Sequence, residues 1–209
     1  MSTVFDWSYK KLLEEASAGT PTPGGGSIAA IAACLGSSMV SMVANLTIGK
    51  EKYIAYEEAA IEVQKDASDI TRDLERLVEA DIAVFNQFMD ALKLPKETDD
   101  QKATRKVAME AAGIAATKVP MEIAEKILCI LKIARKIAEY GNKSAISDVG
   151  VGASLAYASL ESVILSVDIN LPGIKDMTFV EKISTRRAEL MIEGLTLKEE
   201  TMKIVRGRL

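Results

Sequence analysis

The chain is predicted to be all-α, a bundle of about six helices, two of them long and one of these kinked at Pro120. Three observations predict it. Apolar residues recur at steps of three and four, two stretches have capping-box spacing, and strand signals are nearly absent. The 209 residues suit one domain spanning 1–209 and are enough to bury a core.

The elements follow in order. Phe5 to Ala16 reads as a short amphipathic helix with Trp7, Leu12 and Leu13 turned inward. Gly19 to Gly26 is a loop carrying Pro21, Pro23 and three successive glycines, after which Ser27 suits an N-cap. The helix from Ser27 to Ile48 is built from Ala, Ser, Gly and Met and breaks at Gly49. A long helix then runs from about Glu51 to Leu94 and ends at Pro95. Its inward stripe is Ile70, Leu74, Leu77, Phe85, Phe88 and Leu92. Thr98 and Gln101 open a second long helix towards Tyr140, with Gly141 as its stop. Inside it Pro120 removes one N–H and clashes with the preceding turn, which predicts the kink. A polar stretch from Gly141 to Gly152 leads into an apolar helix reaching about Val167. Asn170, Pro172 and Gly173 mark a loop, and Thr178 with Glu181 opens the last helix.

Composition narrows the chemistry. There is no histidine, so Ser-His-Asp and Cys-His catalysis are excluded, as is any metal site that needs imidazole. Proton transfer falls to Asp, Glu, Lys, Tyr or Cys. Cys34 and Cys129 have no metal or redox spacing and read as small core hydrophobes. With a net charge of -4 and no basic tract, no nucleic-acid partner is expected. No charge appears from Ala16 through Gly49, long enough for a bilayer span. The first third of that run is loop, however, and the rest of the chain reads as soluble amphipathic helices. Residues 1–15 carry Asp6, Glu14 and Glu15 and no signal-length apolar stretch. The expectation is a cytoplasmic protein without a membrane partner.

Three features could carry function. The first is Pro23-Gly24-Gly25-Gly26-Ser27, where glycines let the backbone approach a ligand and a helix start offers unpaired N–H groups. The same loop could instead be a tight connector between crossing helices. The second is Asp81, four residues after Leu77 and four before Phe85, inside the apolar stripe. A carboxyl there resists ionisation, which suits a general acid/base near neutral pH, although a structural aspartate bonded to a neighbouring helix has the same signature. Glu79 points off the stripe. The third is Asn142 with Ser147 and Asp148, polar groups between two apolar helices; Ser147 or Asp148 could equally be a helix cap. Asn45, Lys50 and Lys52 close the small-residue helix, where the lysines could meet an anionic ligand tail or simply be solvated.

These stretches together resemble the formimidoyltetrahydrofolate cyclodeaminase family. The resemblance rests on Pro23 to Ser27, the Ala-rich helix to Met42-Val43-Ala44-Asn45-Leu46-Thr47, and Gly49-Lys50. It continues through Ala80-Asp81 with Phe85, Leu92 to Lys96, Gly141-Asn142, Ser147-Asp148 and Ile169-Asn170-Leu171. It covers nearly the whole chain in order, and departs at Lys143-Ser144. It implies a homodimeric all-helical domain that binds a tetrahydrofolate derivative as substrate, with no metal and no other cofactor. In animals the domain is fused to a formiminotransferase, for which this chain has no counterpart. The family's catalytic aspartate carries over to Asp81. Pro23, Gly24, Gly25, Gly26, Ser27, Asn45, Lys50, Asn142, Ser147 and Asp148 carry over as substrate-binding positions. The implied reaction converts 5-formimidoyltetrahydrofolate to 5,10-methenyltetrahydrofolate and ammonia. Close relatives act as methenyltetrahydrofolate cyclohydrolases, which is the alternative. A folate binder without turnover and a helical interaction module are the readings outside enzymology.

Overall fold

The computed structural model describes residues 3–209. Six α-helices carry the fold: α1 (Tyr9–Ala16), α2 (Gly25–Thr47), α3 (Glu57–Lys93), α4 (Asp99–Tyr140), α5 (Ile146–Asn170) and α6 (Met177–Arg208). No strand occurs among the described residues. As expected, two helices are long, α3 with 37 residues and α4 with 42.

From α2 onward, successive helices run antiparallel. Ser37 of α2 donates to the Ala67 carbonyl of α3, and Ser27 reaches Asp81 one helix-length away. α2 lies between α3 and α5 and packs against both, so it is the centre of the sequence-early half. One apolar cluster joins all of them, with Leu74 and Leu77 of α3, Ile123, Ile127 and Leu131 of α4, Val149 and Leu160 of α5 and Leu190 of α6 fully buried. α2 and α5 cross closely because both present glycine. A Cβ on Gly152 would lie 2.8 Å from the Gly36 carbonyl oxygen and 2.9 Å from the Val40 side chain. Two helical spans, in α2 and from Lys143 to Gly173, are long and apolar enough to cross a membrane, and about half of each apolar window is buried inside the bundle. Burial pushes the Cys34 thiol up to about 12, consistent with a core hydrophobe, whereas Cys129 is half-buried.

Pro120 lies buried within α4. Its ring nitrogen cannot donate to the carbonyl four residues earlier, at Ala116. The Asn170 side chain fills that gap: its amide donates to the Ala116 oxygen at 2.9 Å and to the Ser166 oxygen at 2.9 Å. Asn170 thus spans α5 and the interrupted ladder of α4. Asn170→Ala should lower unfolding stability by about 1–3 kcal/mol, the cost of orphaning a carbonyl. In a Pro120→Ala background, where an N–H returns, that cost should shrink. Urea midpoints for the four proteins of the cycle check this, and equal costs in both backgrounds would refute the pairing.

Several boundaries differ from expectation. The first segment is a 3-10 turn at Val4–Asp6 followed by α1, capped by Ser8; Leu13 is 52% exposed because α1 touches the bundle on one narrow side. Glu51–Tyr56 is also 3-10, so α3 begins later than periodicity suggests. Phe85 and Phe88 are half-buried and Leu92 is 38% exposed, because α3 outruns the start of α2, its partner. Gly24, not Ser27, is the N-cap of α2, and Ser27 sits inside the first turn. Ala145 precedes α5, so neither Ser147 nor Asp148 is its cap. Asp176 caps α6 by accepting from the Phe179 N–H, in place of Thr178. The Thr98–Gln101 capping box is present.

Candidate active site

The glycine-rich loop and Asp81 meet. Gly24 has no side chain to cap α2, which leaves the first N–H groups of that helix open. Asp81, from the facing turn of α3, takes the place of the cap. Ser27 Oγ donates to Asp81 Oδ2 at 2.7 Å, and the Ser27 N–H points at the same carboxylate. Gly26 makes the approach possible, since a Cβ there would lie 2.9 Å from both carboxylate oxygens. The glycines therefore admit the protein's own carboxyl group, and Ser27, fully buried, orients it.

Opposed forces set the charge of this carboxyl. The two Ser27 hydrogen bonds and the positive end of α2 favour the anion. Desolvation by burial favours the neutral acid and is the larger effect, so the Asp81 pKa is raised above the ordinary aspartate value. An acid held this way can take a proton from a substrate nitrogen and return it. Glu79, two residues earlier, is occupied elsewhere: its Oε1 accepts the Val4 N–H at 2.8 Å and ties down the N-terminal turn.

The remaining expected site residues do not join this cluster within one chain. Eighteen residues, about five turns or roughly 27 Å of helix, separate Ser27 from Asn45. Asn45 lies at the far end of α2 and lines a groove of about 910 Å³ between α2 and α3, together with Ser38, Ser41, Gln64, Ser68 and Arg72. Lys50 is exposed just beyond that end. Asn142 is there too, and the fold uses all of it. Its N–H donates to Thr47 Oγ1 at 2.9 Å, its side-chain amide donates to the Leu46 oxygen at 2.7 Å, and its Oδ1 accepts the Ser144 N–H at 3.0 Å. Ser147 is exposed and borders a groove against α6. Asp148 precedes Gly152 by one helical turn and so shares its α2-facing side of α5. The site residues thus form two groups, one at each end of α2.

Two features were missed. One is the direct bond between Ser27 and Asp81, which no local pattern encodes because the partners are 54 residues apart. The other is the polar groove. Its signal was in the sequence: Ser38, Ser41 and Asn45 form a polar ribbon at steps of three and four along one side of an uncharged helix. Gly25 differs from Gly26 in having open space around its Cα, with nothing a Cβ would meet within 4 Å. Gly25→Val should therefore fold normally. If the loop lines the substrate site it should raise KM, and steady-state kinetics on the folded variant decide the matter.

The sequence pattern of the formiminotransferase-cyclodeaminase family matches residues 8–189. The methenyltetrahydrofolate cyclohydrolase of Methylorubrum extorquens is 36% identical over 201 residues, covering 96% of this chain and 97% of that protein. The formimidoyltransferase-cyclodeaminase of Mus musculus is 30% identical over 194 residues, covering 93% of this chain and 36% of the mouse protein. The chain therefore spans about a third of that longer relative. Among solved structures, formiminotetrahydrofolate cyclodeaminase from Thermotoga maritima has a TM-score of 0.88 at 25% identity, with 98% of each chain covered.

Proposed function

This chain belongs to the formiminotransferase-cyclodeaminase family, and from that premise we propose that it converts 5-formimidoyltetrahydrofolate to 5,10-methenyltetrahydrofolate with release of ammonia, Asp81 being the general acid/base. The observation that carries the residue assignment is a half-buried carboxyl, raised in pKa and aimed by Ser27 at the open start of a glycine-rich helix.

In this reaction the formimino group enters as its protonated amidinium, N10 attacks its carbon on N5 and a C–N10 bond forms as the C=N π bond opens. Asp81 takes the N10 proton and passes a proton to the departing nitrogen, which leaves as ammonia. The positive charge stays on the N5–C–N10 bridge, where the Asp81 anion stabilises it. Holding N5 and N10 in ring-closing geometry supplies much of the remaining acceleration. The protein is further proposed to be a cytoplasmic homodimer; its two free cysteines suit a reducing compartment.

A second reading, methenyltetrahydrofolate cyclohydrolase, is favoured by the relative from Methylorubrum extorquens, which matches nearly end to end. There water adds to the same bridge carbon while Asp81 takes one of its protons; the adduct then collapses to a formyl group on N10, the C–N5 bond breaks, N5 takes up a proton and one proton in all is released to solvent. One experiment separates the readings. The pure protein is incubated with each folate while methenyl absorbance and ammonia are followed. Rising absorbance with ammonia marks the deaminase. Falling absorbance from the methenyl substrate alone marks the hydrolase. No change with either folate overturns both readings.

A further inference from the structure

The two oxygens of the Asp81 carboxyl are not equivalent. Oδ2 accepts the Ser27 hydroxyl at 2.7 Å, whereas Oδ1 accepts from no side chain among the described residues. Serine in a helix commonly returns its hydroxyl to its own backbone, as Ser38 does to the Cys34 carbonyl oxygen. Ser37 gives its hydroxyl to the Ala67 carbonyl oxygen of α3. Ser27, fully buried in the first turn, is the serine of α2 whose hydroxyl meets an ionisable group.

No charge competes with it. The stretch from Ser17 to Thr47 carries no charged residue. One turn to either side of Asp81, α3 presents Leu77, Val78, Val84 and Phe85, while Glu79 is held by the Val4 N–H. Asp6 in the N-terminal turn bonds back to Thr3. On α4, the contacts of Lys126 with Asp73 and of Arg105 with Leu92 bracket Asp81 and set it level with Thr117 and Lys118. Thr117 gives its hydroxyl to the Gly113 oxygen, and Lys118 lies over the Phe179 ring of α6. Ser27 is thus the polar group that acts on Asp81, against the burial that disfavours its charge.

We propose that Ser27 is the positioning residue of this site: it turns the Asp81 carboxyl so that Oδ1 exchanges the proton with the substrate, and it fixes the pH range in which that exchange runs. An oxygen that already accepts a short O–H bond is the poorer base, so Oδ2 holds charge and Oδ1 moves the proton. Both reactions described above begin with Asp81 as the anion, taking a proton from N10 or from water. Activity therefore falls on the acid side as the carboxyl protonates. The Ser27 hydroxyl bonds to the anion and so moves that fall towards acid. The inference rests on the reading of Asp81 as the proton-transfer group.

The test is the pH profile of kcat/KM, whose acid limb reports the free enzyme's essential base. In Ser27→Ala the limb should move up by about one to two pH units, the worth of one hydrogen bond to a charged group. The plateau at high pH should fall by less than the roughly 10²-fold expected when a general acid/base is removed outright. Ser37→Ala is the structural control. It loses another α2–α3 hydrogen bond and should lower Tm, yet leave the limb in place. Ser27→Cys keeps a weaker donor, so its limb should lie between those of wild type and Ser27→Ala, and it replaces the alanine variant if that chain does not fold. A limb that stays put without the Ser27 hydroxyl, or that moves equally in Ser37→Ala, overturns the inference. Asp81→Asn tells the two failures apart. If it keeps normal turnover, the limb belongs to another group and the proton-transfer reading falls, taking the role of Ser27 with it. An inactive Asp81→Asn beside an unmoved limb in Ser27→Ala removes Ser27 alone.

Discussion

Asp81→Asn should reduce turnover of the folate substrate by about 10²–10⁴-fold, the usual contribution of a general acid/base. The variant is close to isosteric. Its amide oxygen can still accept from Ser27 Oγ and the Ser27 N–H, so the start of α2 stays capped and the fold persists. Folate affinity should change far less than the rate. Asp81→Ala should behave differently, leaving the fully buried Ser27 hydroxyl without its acceptor and costing about 1–3 kcal/mol of stability as well. Glu79→Gln is the internal control, because an amide there can still accept the Val4 N–H and should leave turnover near normal. Single-turnover kinetics on the three proteins check this. Near-normal rates in Asp81→Asn, or a collapse in Glu79→Gln, would remove Asp81 from the mechanism.

Gly152→Val should be the most damaging single change to stability away from the site. The added Cβ would meet the Gly36 carbonyl oxygen at 2.8 Å, and the reciprocal Cβ on Gly36 would meet the Gly152 oxygen at 3.0 Å. Both obstacles are backbone, so neither helix can yield by changing a rotamer. Overpacking typically costs about 1–3 kcal/mol, and this site belongs at or beyond the top of that range. A chain of this size then loses roughly 6–12 °C in Tm. Gly113→Ala is the informative contrast. Its Cβ would meet Ile174 at an ordinary 3.6 Å, and removing a glycine from the interior of α4 should raise stability by up to about 1 kcal/mol. Calorimetry on both variants checks the pair, and an unchanged Tm in Gly152→Val would show that the α2–α5 crossing can open.

The fold was legible because its signals are local. Ile70, Leu74 and Leu77 step along one face of α3, and Thr98 with Gln101 forms the capping box it spells. Misreadings fell where a distant group decides. Ser27 looks like an N-cap, but Asp81 draws its hydroxyl across to α3, and the backbone cap passes to Gly24. Thr178 looks like a cap, but Asp176 accepts the Phe179 N–H first. Leu92 fits the apolar stripe of α3, yet α2 begins too late to cover it. At the candidate site, Asp81 was legible as a polar residue on an apolar stripe, though not as the partner of Ser27. The division of the other residues between the two ends of α2 was not, since sequence order hides a separation that only helix length reveals. Asn142 illustrates the limit: its motif is plain, but the fold commits its side chain to the end of α2 and the following turn.

The capping of α2 by a half-buried carboxyl also links the fold to solution acidity. A carboxyl whose folded pKa is raised binds its proton more tightly in the native than in the unfolded chain. Its favourable contribution is complete below the ordinary aspartate value and is lost as pH rises through the raised value; above that, the native state carries the strain of a poorly hydrated anion. Asp69 and Asp73 run the other way. Lys65 with Arg72, and Lys126, hold them low, and what they contribute disappears only on the acid side. With no histidine in the chain, no imidazole titration is superimposed on these carboxylate effects. The Tm gap between Asp81→Asn and the native chain should therefore be smallest in acid and widen in favour of the amide as pH rises. In the window between the ordinary and the raised aspartate value, folding takes up protons from the buffer and unfolding releases them, an uptake that calorimetry in buffers of different ionisation enthalpy can detect.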